Sequence, residues 1–256
     1  MTSRPDEQPR PRIVAHRGAS FDAPENTLAA FRLAWEQGAD GIEADFRLTS
    51  DERVVSIHDD DMKRVAGICR SVKDSTYDDL QSLDVGVWKG ERWREERIPS
   101  IEDVIAIVPA GRMIFIELKT GPEIVAPVSR ILSSAGLAAD QVVIISLDEN
   151  VVAACKKQMP SVKCHWLAAY EQKPSGEWLP TVGEVIETIR RSGADGFGSE
   201  ARPECLNAQF VRGLRAAGIG EFHVWTVDDL ERARYFQRLG AWSITTNRPA
   251  ALRALL

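Results

Sequence analysis

Two of the four histidines, His16 and His58, belong to a set of residues whose types and spacing could do chemistry. Arg17 follows His16, Glu43 and Asp45 stand two residues apart, and so do Glu117 and Lys119. On a strand, residues two apart point to the same face, separated by about 6.6 Å. Three carboxylates brought together without compensation would raise one another's pKa. One divalent cation, Mg2+ or Ca2+, relieves that repulsion, because both take oxygen ligands at about 2.0–2.6 Å. Glu43, Asp45 and Glu117 are therefore the candidate metal ligands. Imidazole titrates near neutral pH, so His16 and His58 beside such a cluster can share proton acceptance and donation. Three carboxylates, one divalent cation, Arg17 and Lys119 sum to about plus one, which suits a monoanionic phosphodiester, and Arg17 could fork two of its oxygens. Taken singly, each charged pair reads as well as a surface salt bridge; it is the recurrence beside two histidines that favours a site. His165, between Cys164 and Trp166, reads as structural. His223, two before Trp225, could line the same interior.

Such groups need elements to carry them. β-rich runs fall at 13–17, 41–47, 54–58, 112–119, 142–146, 163–167, 195–198, 222–226 and 242–245. Helical patterns lie between most of them: one begins at 24–26 and stops at Gly38, and others cover 100–108, 122–135, 148–158, 181–192, 207–217, 228–239 and 248–255. Repeating β-then-α units predict a parallel sheet with covering helices. About eight strands plus one extension, in 256 residues and without a Gly-rich nucleotide-binding motif, favour a (β/α)8 TIM barrel over an open doubly wound sheet. The charged set then sits at the C-terminal strand ends, where barrels place their chemistry. The polar segment 59–99, with Thr76-x-x-Asp79 opening a short helix, reads as a small capping insertion after the second strand. Residues 1–11 read as a disordered leader, and 12–256 as one catalytic domain.

Bulk properties narrow the partners. With 32 basic and 38 acidic residues the net charge is −6, which argues against nucleic acid and against an anionic membrane surface. No apolar run is long enough for a membrane span, and the N-terminus has no signal-peptide core. The four cysteines form no C-x-x-C pair and read as free thiols in a reducing compartment. A cytoplasmic protein acting on a small molecule, without stable membrane anchoring, is expected; self-association into a homo-oligomer is compatible with this.

The ordered motifs His16-Arg17-Gly18-Ala19, Pro24-Glu25-Asn26-Thr27, Glu43-Ala44-Asp45, His58-Asp59, Arg97-Ile98-Pro99, Glu117-Leu118-Lys119, Ile145-Ser146-Leu147-Asp148, Val224-Trp225-Thr226-Val227 and Thr246-Asn247-Arg248-Pro249 resemble the glycerophosphodiester phosphodiesterase family, within the phospholipase C-like phosphodiesterase barrel superfamily. The resemblance covers most of the chain from about 13 to 250. It implies a (β/α)8 barrel and hydrolysis of glycerophosphodiesters to glycerol 3-phosphate and an alcohol. Carried over by position, Glu43, Asp45 and Glu117 would bind the metal, and His16 and His58 would be the acid–base pair. Arg17 and Lys119 would face phosphate, and Trp225 would pack on glycerol or the leaving group. Glu25 would lie near the substrate, although Pro24 and Glu25 also suit a first helical turn.

Two departures stand out: Asn247 where the family often has Asp, and Leu147 where an aromatic is common. Neither is expected to touch the metal or the histidines, whereas Leu147 could change which alcohol fits. Competing readings are a lysophospholipase D or sphingomyelinase D-like phosphodiesterase on the same barrel, a non-catalytic phosphoester-binding module, and a metal-dependent lyase or isomerase. The last lacks a reason for paired histidines beside Arg17.

Overall fold

The computed structural model describes residues 10–256. Residues 1–9, most of the expected leader, lie outside them. At the start of the described chain Pro11 is buried and Arg10 donates from Nη2 to the carbonyl of Arg253 at 2.9 Å.

The chain runs β1 (Arg12–His16), α1 (Leu28–Glu36), β2 (Gly41–Leu48), β3 (Val54–Ser56), α2 (Lys63–Ala66), α3 (Tyr77–Gln81), α4 (Ile101–Ala106) and β4 (Met113–Leu118). It continues α5 (Val125–Ser134), β5 (Val142–Ser146), α6 (Glu149–Gln158), β6 (Lys163–Ala168), β7 (Glu171–Gln172), β8 (Trp178–Leu179) and α7 (Val182–Ser192). The last elements are β9 (Gly196–Glu200), α8 (Ala208–Ala216), β10 (Phe222–Trp225), α9 (Leu230–Leu239), β11 (Ser243–Thr246) and α10 (Pro249–Leu255). Strands β1, β2, β4, β5, β6, β9, β10 and β11 pair in parallel, and β1 joins both β2 and β11, closing an eight-stranded barrel. This is the expected (β/α)8 architecture.

Alternation along each strand divides the interior from the helix layer. Outward residues such as Ile42, Ala44, Phe46, Ile114 and Ile116 are fully buried beneath the helices. Val14, Phe115, Val143, Ile145 and Leu167 form a separate cluster inside the barrel, with Trp225 and Trp242 packed on it. Burying each such side chain is worth roughly 1.5–3 kcal/mol. The helices start where the sequence places oxygen-bearing caps: Thr27, Ser100, Asp148, Thr181, Asn207 and Asp229 each accept from a backbone N–H of the first turn.

Three local expectations change. The first helix begins at Leu28, not at 24–26, because Asn26 adopts a left-handed φ of 58° and Thr27 becomes the cap. The extension is shorter than 54–58: only Val54–Ser56 pairs, antiparallel to β2, and His58 sits in the loop beyond. The β7–β8 hairpin, two residues per strand, was not anticipated. The insertion after β3 has its own core, in which Val55, Ile57, Met62, Val65, Tyr77, Leu80, Val85 and Ile98 pack together. Within it Thr76 and Asp79 form the expected capping box of α3. Among the described residues, no helix is long and apolar enough to cross a membrane.

Candidate active site

The barrel register brings the charged set together. His16 pairs with Glu43 across β1–β2, and Asp45 pairs with Glu117 across β2–β4. His16 and Glu117 lie at the C-terminal ends of β1 and β4, and Glu43 and Asp45 are the third and fifth residues of the longer β2. One ligand atom from each of Glu43, Asp45 and Glu117 lies within 4.8 Å of the others. His16, Arg17, Glu43, His58, Glu117, Lys119, Leu147, Leu167, His223 and Trp225 line a cavity of about 130 Å3. Pockets for drug-sized ligands measure about 300–1,000 Å3, so this one suits a much smaller molecule.

The carboxylates are held unequally. Glu43 Oε2 accepts from the backbone N–H of Arg17 at 2.9 Å, and Arg17 reaches that position with φ at 56°. The tight turn continues through Gly18, where a Cβ would come within 2.6 Å of the Ala30 backbone. Asp45 exchanges two hydrogen bonds with Asn26: its Oδ2 accepts from Nδ2 at 2.8 Å, and its N–H donates to Oδ1 at 3.1 Å. Lys119 Nζ bonds Glu117 Oε1 at 2.7 Å and faces Asp45 Oδ1 at 3.4 Å. Among the described residues, Glu43 Oε1 and Asp45 Oδ1 are buried without a hydrogen-bond partner.

Those orphaned oxygens have electrostatic consequences. Burial, then the charges of Asp45 and Glu117, push Glu43 well above the usual carboxylate range. Burial also pushes Glu117 up, followed by Asp45, against the opposing charge of Lys119. Asp45 moves the other way: burial raises it, but Arg17 and Lys119 together outweigh that. A buried carboxylate oxygen without a hydrogen bond is costly, and the three clustered carboxylates fit a hard divalent cation as oxygen donors.

The two histidines are anchored through Nδ1. His16 Nδ1 lies 2.8 Å from Asn247 Oδ1, and His58 Nδ1 lies 2.8 Å from Asp59 Oδ1. Nε2 is thus the nitrogen of each ring left for proton transfer; that of His16 lies 4.0 Å from Glu43 Oε2. Burial, and then Arg17, depress the His16 pKa to about 4. Burial also lowers His58, against Asp45 and Asp59, which raise it.

Several expected roles are altered by this geometry. Asn247, expected to touch neither metal nor histidine, is the direct partner of His16. The two residues are 231 positions apart and meet only through β1–β11 pairing, so no local pattern joins them. Arg17 does not offer a free fork: Nη1 bonds Glu25 Oε1 at 2.8 Å, and Nε faces Asp45 Oδ2 at 3.1 Å. Glu25 bridges two arginines. Its two oxygens also take Arg64 Nη1 and Nη2 at 2.8 Å each, and Arg64 Nε reaches Asp59 Oδ2 at 2.6 Å. One chain of ion pairs therefore runs from His58 through Asp59, Arg64, Glu25 and Arg17 to Asp45.

Trp225 lines the cavity, with its indole Nε1 buried and unpartnered among the described residues. Leu147 stands half exposed at the rim. His223 reaches the cavity, stacks on Phe115 at 5.5 Å and meets His165 edge-on at 5.3 Å, so both imidazoles pack as buried aromatic rings. Sequence reasoning assigned no role to Asn26, Asp59, Arg64 or Asp228. Of these, Asn26 and Asp59 stand inside the motifs Pro24-Glu25-Asn26-Thr27 and His58-Asp59, whereas Arg64 and Asp228 carry no local signal.

Residues 16–251 match the profile of the glycerophosphoryl diester phosphodiesterase family. A glycerophosphodiester phosphodiesterase of Caldanaerobacter subterraneus is 31% identical over 245 residues, covering 94% of this chain and 95% of that protein. YhdW of Bacillus subtilis is 33% identical over 245 residues, covering 93% and 94%. An Oleispira antarctica phosphodiesterase solved with the product sn-glycerol-3-phosphate superposes with a TM-score of 0.85 at 24% identity, covering 96% of each chain. The strand-end carboxylates and histidines that first suggested phosphodiester chemistry thus lie within a match spanning nearly the whole barrel, and the chain belongs to the glycerophosphoryl diester phosphodiesterase family.

Proposed function

We propose that this chain cleaves glycerophosphodiesters to glycerol 3-phosphate and an alcohol in a reaction that requires one divalent cation, Mg2+ or Ca2+. The observation that carries the reading is a cavity lined by Glu43, Glu117 and two histidines anchored through Nδ1, with one Glu43 oxygen buried and without a hydrogen-bond partner among the described residues. Glu43, Asp45 and Glu117 would hold the cation. The chemistry supplied by a bound cation is Lewis-acid polarisation of a phosphate oxygen. With the cation bound, Arg17 and Lys119 would bring the set to about plus one, which would make the cavity attractive to an anion. Trp225 offers an apolar wall and an unpartnered N–H to the glycerol moiety. In the solved relative from Oleispira antarctica the bound product is glycerol 3-phosphate, which agrees with this substrate class.

His16 and His58 divide the proton transfers. The amide oxygen of Asn247 stabilises an imidazolium less than a carboxylate does, so His16 keeps an unprotonated Nε2 and acts as base toward the nucleophile. His58, held by the Asp59 carboxylate, donates to the leaving oxygen. Single-turnover trapping identifies the nucleophile: a cyclic glycerophosphate marks attack by the substrate's own hydroxyl, and its absence marks direct attack by water.

Phe21 and Trp88 are exposed and line a cleft beside His16 and Arg17, an observation that favours a second reading with an apolar, lysophospholipid-type leaving group. Phosphorus NMR of glycerophosphocholine and lysophosphatidylcholine digests separates the two. The proposal expects glycerol 3-phosphate from the former at the higher kcat/KM. Exclusive turnover of lysophosphatidylcholine would replace it with the second reading.

A further inference from the structure

His16 owes its orientation to a relay that starts at Asp228, in the loop after β10. Asp228 accepts three hydrogen bonds: from the Asn247 backbone N–H at 2.7 Å, from Asn247 Nδ2 at 2.6 Å, and from Thr246 Oγ1 at 2.8 Å. An ionised carboxylate can only accept. The Asn247 amide must therefore turn its NH2 toward Asp228 and its Oδ1 away. That Oδ1 meets His16 Nδ1 at 2.8 Å and also takes Ser20 Oγ at 2.8 Å. An amide oxygen can only accept as well, so the His16 proton belongs on Nδ1 and the lone pair on Nε2.

We propose that Asp228 and Asn247 form a positioning pair that fixes His16 as its Nδ1–H tautomer, with the negative charge on the outer member rather than on the residue touching the ring. The inference rests on the proton-transfer role given to His16 above. A carboxylate at 247 would face the Asp228 carboxylate at the 2.6 Å now spanned by an amide hydrogen bond. The two positions work as one amide and one carboxylate, and either order keeps an acceptor on the ring.

The test uses Asn247→Asp, Asp228→Asn, the double exchange Asn247→Asp/Asp228→Asn, and Asn247→Leu. Each is assayed for kcat and KM on glycerophosphocholine, with the His16 ring read by long-range 15N–1H spectra. Asn247→Asp alone should lower kcat by about 10–100-fold with little change in KM, the usual scale for the hydrogen-bond partner of an active-site ligand. The double exchange should return kcat to within a few-fold of the parent. The spectra should show Nδ1–H in the parent and the double exchange, and lose that preference in Asn247→Leu. A double exchange no better than Asn247→Asp, or an Asn247→Leu protein that keeps the Nδ1–H tautomer, would overturn the proposal. If Asn247→Asp does not fold, Asp228→Asn and Asn247→Leu carry the test. Full turnover by His16→Ala would instead remove the role of His16, and the spectra would still decide whether the pair sets the tautomer.

Discussion

His16 and His58 face one cavity from two differently built halves of the molecule. His16 ends a barrel strand paired on both sides, and its partner Asn247 follows the neighbouring strand β11. His58 follows the short β3, beside an insertion whose small core is separate from the barrel's. The first half is fixed by strand register and a neutral amide. The second is fixed by a carboxylate and by the Arg64–Glu25–Arg17 ion pairs, which tie α2 back to the barrel. Similar rings can thus receive different duties from what holds them.

The sharpest way to break this comparison is to remove each ring. His16→Ala and His58→Ala should each lower kcat on glycerophosphocholine by about 10²–10⁴-fold. They should part on a substrate with a p-nitrophenol leaving group, which needs little protonation. His58→Ala should then recover most of its rate and His16→Ala should not. Equal recovery in both would end the division of labour.

Leu80 is fully buried in the insertion core. Leu80→Ala should cost about 2–5 kcal/mol, and the loss should fall on the insertion half. With rising urea, activity should disappear before the far-UV circular dichroism of the barrel. Coincident midpoints would show that the insertion does not open alone. Asn26 braces Asp45 from the barrel side, so Asn26→Ala should weaken cation-dependent activity by about 10–100-fold, measured as a raised cation requirement.

The smallest effect concerns pH. Burial opposes ionisation of Asp59, but its hydrogen bonds to Arg64 and His58 outweigh that and bring it from 3.8 down to about 2. A carboxylate depressed on folding stabilises the folded state above its unfolded value and loses that contribution as pH falls through the folded one. The difference in urea midpoint between the parent and Asp59→Asn should therefore be present above pH ~4 and shrink toward pH ~2. A pH-independent difference would contradict the ion-pair account of that half.

The barrel half was the more legible in sequence. Period-two alternation in β2 and β4 places Glu43 with Asp45 and Glu117 with Lys119 on common faces, and the helical patterns at 148–158 and 181–192 begin at the observed caps Asp148 and Thr181. Contacts that depend on closure were not legible. Asn247 meets His16, and Asp228 orients Asn247, only after β1, β10 and β11 come side by side. Pro24 and Glu25 resembled a first helical turn, but the left-handed Asn26 ends that reading and frees Glu25 to bridge two arginines. In the insertion, the Thr76–Asp79 box announces α3, whereas α2 spans only four residues and is too short for periodicity to show.

A divalent cation held by the three carboxylates and needed for the reaction is the central proposal. Hydrolysis of glycerophosphocholine should be followed on protein stripped with EDTA and then titrated with Mg2+ or Ca2+, with bound metal measured on the same samples. The prediction is no glycerol 3-phosphate from the stripped protein, recovery that saturates near one bound ion per chain, and neither recovery nor stoichiometric binding in Glu117→Gln. Full turnover in excess EDTA, with no metal detected on the protein, would contradict it.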